Sequence, residues 1–108
     1  DEIYENLEIV LRIMKEGSVI AVDNAVKVLA AVAAQNDEYN KKIFPLLLDH
    51  LRECRPKEVA QHAESTFQAV NQSNQDDFVR VLRERESVLT SAQLTRIKKL
   101  YKKLHVNK

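Results

Sequence analysis

Apolar residues recur along this chain at i, i+3, i+4 and i+7, the spacing that gathers side chains on one face of a helix. Leu7, Val10, Leu11 and Met14 define a first helix from about Glu2 to Glu16. Gly17 is expected to end it in the left-handed conformation that closes a helix, and Ser18 to cap a second helix running to about Gln35. The second helix is apolar almost all round: Ala21, Ala25, Val28, Leu29 and Val32 make one face, and Val19, Val26, Ala30 and Ala33 another. Such a helix must be covered on more than one side.

Asn36 and Asp37 supply the next stop and start, and the third helix carries Phe44, Leu47, Leu48 and Leu51 with Pro45 inside it. Proline deletes one backbone donor and crowds the carbonyl four residues back, so a bend is expected near residues 41–45. Beyond Pro56 a fourth helix from about Lys57 to Gln72 presents Val59, Ala63, Thr66, Phe67 and Val70, and a fifth presents Phe78, Val81 and Leu82. Thr90 with Gln93 forms a capping box, stapled by Leu89 and Leu94, ahead of a sixth helix whose core face is Ile97, Leu100, Tyr101 and Leu104.

These faces repeat. The first helix maps onto the third at a shift of 37, the second onto the fourth at 38, and the third and fourth onto the fifth and sixth at 34. A period of that length predicts an all-α fold of three stacked antiparallel helix hairpins, at about 2–35, 37–72 and 74–104, within a single domain over 1–108.

Ile43-Phe44-Pro45-Leu46-Leu47 resembles the proline-containing first helix of HEAT repeats, and Val59 to Val70 resembles their second helix, with small residues at Ala63 and Ala69. The resemblance implies a short right-handed α-solenoid and a protein-binding scaffold, or a segment of one. The arginine that many repeats carry after the aliphatic residue of the second helix is Ala60 here, so the resemblance does not extend to the ladder of polar contacts built on it.

Tyr39, Ile43, Leu46, His50 and Cys54 add a second stripe to the third helix, matched by Ile9 and Ile13 on the first but by Arg80 and Glu84 on the fifth. An interior helix touches a further neighbour and a terminal one faces water, so the third hairpin is expected to be the C-terminal cap. At the other end Val19, Val26, Ala30 and Ala33 stand where the fourth helix has Lys57, Glu64, Gln68 and Asn71. Either the first helix covers this strip, or it lies exposed as an anchor for a protein partner or for an upstream part of the same chain. In the second case the contacts are Val19, Asp23, Asn24, Val26, Lys27 and Ala30, then Gln61, Glu64, Ser65 and Gln68, and Val26→Asp abolishes partner capture without loss of helicity.

Composition narrows the picture. One glycine and two prolines among 108 residues suit helices better than sheets. The single cysteine excludes an intramolecular disulfide, and no apolar run approaches the roughly 20 residues of a membrane span, so a cytoplasmic setting is expected. The chain begins at Asp1, which fits either a trimmed piece or an excerpt of a longer chain.

The net charge is only +1, yet Asp1, Glu2, Glu5 and Glu8 open the chain while Arg96, Lys98, Lys99, Lys102, Lys103 and Lys108 close it. The basic sixth helix is a candidate nucleic-acid surface, set against the ordinary role of lysines in stabilising a helix C-terminus. Acidic start against basic end also allows head-to-tail self-association.

Phosphate loops, zincin motifs and nucleophile elbows are all missing, so no enzyme activity is expected. The one ligand-like grouping is His50-x3-Cys54 with His62-x-Glu64. A structural zinc site ordinarily draws on paired ligands, and here there is one cysteine. His50 and Cys54 are therefore expected to pack rather than react, with no metal or cofactor.

Overall fold

The computed structural model describes residues 8–10, 12–15 and 17–105, the side chain of Val19 excepted. Among these the chain is helical and has no strand. Residues 8–10 and 12–15 belong to α1, followed by α2 (Val19–Ala33), α3 (Asp37–Glu53), α4 (Pro56–Thr66), a 3-10 turn (Phe67–Ala69), α5 (Gln75–Arg85), a second 3-10 turn (Glu86–Val88) and α6 (Ser91–Lys103). No described helix is long and apolar enough to cross a membrane.

The caps follow the local chemistry. Ser18 Oγ accepts from the Ala21 N–H, Asn36 Oδ1 from the Tyr39 N–H, and Pro56 occupies the first turn of α4, where its missing donor has no intrahelical role. The capping box at Thr90 is complete: its Oγ1 accepts from the Gln93 N–H at 3.2 Å while its own N–H donates to Gln93 Oε1 at 2.9 Å. α3 continues through Pro45, and both Pro45 and Lys41, whose carbonyl loses its partner, lie on the exposed side where water serves instead.

Gly17 departs from expectation. Its φ is not positive; its N–H meets the Ile13 carbonyl at 2.6 Å, and an added Cβ would lie 2.5 Å from that oxygen. Close approach, not a left-handed backbone, excludes larger residues. The left-handed residue is His105, at φ 60° just after α6.

α2 packs against α3, α4 and the first 3-10 turn; α3 also packs against α5, and α4 against α6. The molecule measures 40 × 30 × 16 Å. Its short dimension is that of two layers of helices with axes about 9 Å apart and Cα radii of about 2.3 Å. One continuous core joins Leu29, Ile43, Phe44, Leu47 and Leu51 to Val59, Phe78, Val81, Leu82 and Ile97, and Val10, Met14, Val32, Phe67, Val70, Leu89 and Leu104 pack against it. Leu7 and Leu11, expected on the core face of α1, lie outside the described residues.

The buried face of α2 is Val22, Ala25, Val26, Leu29, Ala30 and Ala33. Val26 and Ala30 are therefore core residues, not an exposed anchor. Val28, expected inside, is 51% exposed. Small buried residues on α2 (Ala25, Ala30, Ala33) and on α4 (Ala60, Ala63) let the two helices approach closely, which turns the second apolar strip inward.

α4 ends at Thr66 rather than near Gln72, and an asparagine network gives the reason. The Ala69 carbonyl accepts from the amides of Asn40 (2.8 Å) and Asn74 (3.1 Å), and the Asn74 amide also donates to Asn40 Oδ1 at 2.9 Å. Asn71 Oδ1 accepts from the Ser73 and Asn74 N–H groups, and Asn74 Oδ1 from the Asn71 N–H. With these groups satisfied the helix has no need to continue. Asn40 and Asn74 are separated by 34 residues, so this network ties α3 to the start of α5.

A second tie closes the far end of α3. Arg85 on α5 donates to the carbonyls of Leu51 (2.8 Å), Arg52 (2.5 Å) and Cys54 (2.7 Å), satisfying orphan acceptors where the helix dipole is negative. Among the described residues one buried side-chain oxygen, Thr66 Oγ1, has no hydrogen-bond partner. Replacing Thr66 with the isosteric valine removes that unmet group and is expected to raise stability by about 1 kcal/mol, read from the midpoint of urea unfolding.

Candidate functional site

The densest group of reactive side chains lies where α2, α3 and α4 meet. His50 occupies the last turn of α3 and Cys54 is its C-cap. The chain then reverses within Arg55 and enters α4 at Pro56, so that Glu58 and His62, four residues apart, share one face of α4. α2 brings Asp23 to the other side of the His62 ring.

His50 Nε2 and His62 Nδ1 are 2.7 Å apart, with ring centroids separated by 4.8 Å and planes tilted by 32°. His62 Nε2 lies 2.5 Å from Asp23 Oδ1, and the His62 side chain is buried. A carboxylate accepts only, so His62 donates to Asp23 through Nε2–H. In the neutral form of His62 its Nδ1 lone pair then points at His50, which donates from Nε2, and Asp23 in that form sets the tautomer of both rings.

Burial, and after it the neighbouring His62, pushes the His50 pKa down to about 4, so this imidazole is neutral at physiological pH. Burial also pushes the Cys54 thiol up to about 11, against the pull of Arg85, and its Sγ lies 3.8 Å from the Leu51 carbonyl. A protonated, buried thiol is a poor nucleophile, so the geometry does not prepare a Cys–His attack. It does gather two nitrogens and a sulfur: the donor atoms of His50, Cys54 and His62 all lie within 4.8 Å of one another, and a second such group joins His62 to Asp23 and Glu58. A cleft of about 810 Å³ opens beside them, lined among others by Met14, Val22, Leu46, His50, Cys54 and Glu58.

Glu64, named with His62 in the sequence, is not a member. Arg96 binds it in a forked pair, Nε to Oε2 at 3.1 Å and Nη2 to Oε1 at 2.5 Å, joining α6 to α4. Two residues chosen for different surfaces, Glu64 for protein and Arg96 for nucleic acid, thus bind each other. That contact raises the Arg96 pKa further.

Of the remaining partner residues, Asp23 is engaged by His62, Val26 and Ala30 are core, and the Val19 side chain lies outside the described part. Gln61 is half-buried and Gln68 is exposed, donating to the Ser65 carbonyl. Lys27 stays exposed beside Asn24, and with them on the outer side of α2 stand Ile20, 74% exposed, and Val28. Ile20 was legible as the residue four before Asn24 and eight before Val28 on one helical stripe. On α6, Lys103 Nζ sits 5.7 Å over the Phe67 ring, while Lys98, Lys99 and Lys102 are exposed. Glu58 was also within reach of sequence reasoning, because its spacing of four from His62 puts both on one face. Asp23 was not, since 39 residues separate it from His62.

Neither a protein-family model, nor a curated protein, nor a solved structure matches this chain.

Proposed function

We propose that this chain is a non-enzymatic protein-binding module, built as three stacked helix hairpins in the manner of HEAT repeats, or a segment of a longer protein of that kind. The packing of α2 on α4, α4 on α6 and α3 on α5 supports the stacked reading, because equivalent helices then lie side by side. The Asn40–Asn74 tie at the repeat distance supports it as well.

The observation that carries the binding role is the outer stripe of α2. Ile20 and Val28 hold two large aliphatic side chains in water on either side of Asn24, with Lys27 beside them. An exposed aliphatic pair flanked by polar groups on one helix is what a protein partner or an upstream part of the same chain would cover.

Affinity capture from the native cell, followed by mass spectrometry, tests this with the double variant Ile20→Asp, Val28→Asp. The variant is expected to keep its circular dichroism and to lose a captured protein at least about tenfold. Equal capture by both forms refutes the reading.

Lys98, Lys99 and Lys102, exposed on α6, support a second reading as a nucleic-acid surface. It requires salt-sensitive retention on duplex or single strands, lost when the three become glutamate. Absence of retention at low salt removes it.

A further inference from the structure

We propose that His50, Cys54 and His62 bind a single zinc ion, with Asp23 orienting the His62 ring from behind. The argument rests on geometry at the junction of α2, α3 and α4 and is independent of where a protein partner docks.

The first element is the donor set. Two imidazole nitrogens and one sulfur come from two helices, with all three donor atoms within 4.8 Å of one another. Zinc held at about 2.0 Å from nitrogen and 2.3 Å from sulfur in tetrahedral geometry places its ligand atoms about 3.3 to 3.6 Å apart. The donors therefore close by no more than about 1.3 Å, while the His50–His62 pair, now 2.7 Å apart, opens by roughly half that. His50 is half-buried and both it and Cys54 line the cleft, so the adjustment falls on side-chain rotation and not on the tied backbone.

The second element is the carboxylate behind His62. A metal-bound histidine characteristically donates its other ring N–H to a carboxylate, which fixes the tautomer and leaves the coordinating nitrogen unprotonated. Asp23 holds Nε2–H in that way and leaves Nδ1 directed at the cluster. The alternative grouping of His62 with Asp23 and Glu58 would require His62 to give up this bond and would offer zinc two oxygens instead of nitrogen and sulfur. The structure favours the former.

The third element is access and charge. The cleft reaches His50 and Cys54, so a water can take the fourth position, while Glu58 in its wall is held by Arg55 at 2.7 Å. On binding, the Cys54 S–H proton leaves to solvent, the sulfur bonds to zinc, and His50 moves its proton from Nε2 to Nδ1. One proton is released per ion. Zinc and one thiolate leave a single positive charge, which Asp23 balances across the His62 ring.

Cobalt(II) titrated into the intact chain is the test, because a thiolate ligand gives a near-ultraviolet charge-transfer band and a tetrahedral site gives visible d–d bands. One equivalent is expected to produce both, and zinc to displace it. Cys54→Ser is expected to abolish the charge-transfer band. His50→Ala is expected to weaken binding at least about tenfold, and Asp23→Ala, a positioning change, about 10- to 100-fold. His105→Asn, at the exposed histidine after α6, is expected to leave binding unchanged. Circular dichroism of each variant separates lost ligation from lost folding, and zinc is expected to raise the melting temperature of the wild type more than that of His50→Ala. No charge-transfer band with the wild type, or wild-type affinity in folded His50→Ala, overturns the proposal.

Discussion

Val26→Asp is expected to unfold this chain, while Val28→Asp, the same change two residues along the same helix, leaves it folded. Helix propensity is common to both, so the difference isolates burial. Val26 has no accessible surface, whereas half of Val28 is exposed. At Val26 the change loses about 2 kcal/mol of apolar burial and adds several more for a carboxyl group without a partner, protonated or not. A total above about 5 kcal/mol reaches or exceeds the stability of many domains of this size. At Val28 the cost is expected to stay below about 1 kcal/mol, chiefly from helix propensity. Far-ultraviolet circular dichroism in a urea series separates the two. A folded Val26→Asp with the wild-type midpoint would return the strip to the surface and restore it as a partner anchor.

Phe78→Ala is expected to cost about 4 kcal/mol. Phe78 is fully buried on α5, with its ring centroid 6.4 Å from that of Phe44 on α3 and 6.3 Å from that of Phe67 in the first 3-10 turn. The ring joins α5 to α3 and to the 3-10 turn that precedes it, and its removal leaves a void that close-packed helices cannot fully collapse. Phe78→Leu, which keeps most of the volume, is expected to cost less than about 2 kcal/mol. Urea midpoints of the two variants read this directly. A loss under about 1 kcal/mol for the alanine would mean that the aromatic cluster is not the centre of the core.

Much of the local structure was legible because it is decided within a few residues. Ser18, Asn36, Pro56 and the Thr90–Gln93 box mark helix starts through bonds that span three residues or fewer. Phe44, Leu47, Leu48 and Leu51 announce the buried face of α3 because the helical period gathers them and the opposite side is polar. α2 offered no such contrast. Apolar on nearly every side, it left the inward face to be chosen by packing on α3 and on α4, where the small Ala60 and Ala63 stand, and Val26 and Ala30 are buried while Ile20 and Val28 stay outside.

The candidate site divides in the same way. His50 and Cys54 were paired by their spacing, as Glu58 and His62 could be, but the orientation of His62 depends on Asp23 from α2. Glu64, adjacent in sequence, turns instead to Arg96, and α4 stops short because Asn40 and Asn74 take the Ala69 carbonyl. By itself, then, the sequence determined where helices begin and, for those with one apolar side, which side is buried. Only the tertiary structure decided which face of an all-apolar helix is core, where the turn at Phe67–Ala69 falls, and which polar groups meet. Helical periodicity and capping act over a single turn, whereas these contacts join residues 29 to 39 positions apart and exist only once the helices have packed.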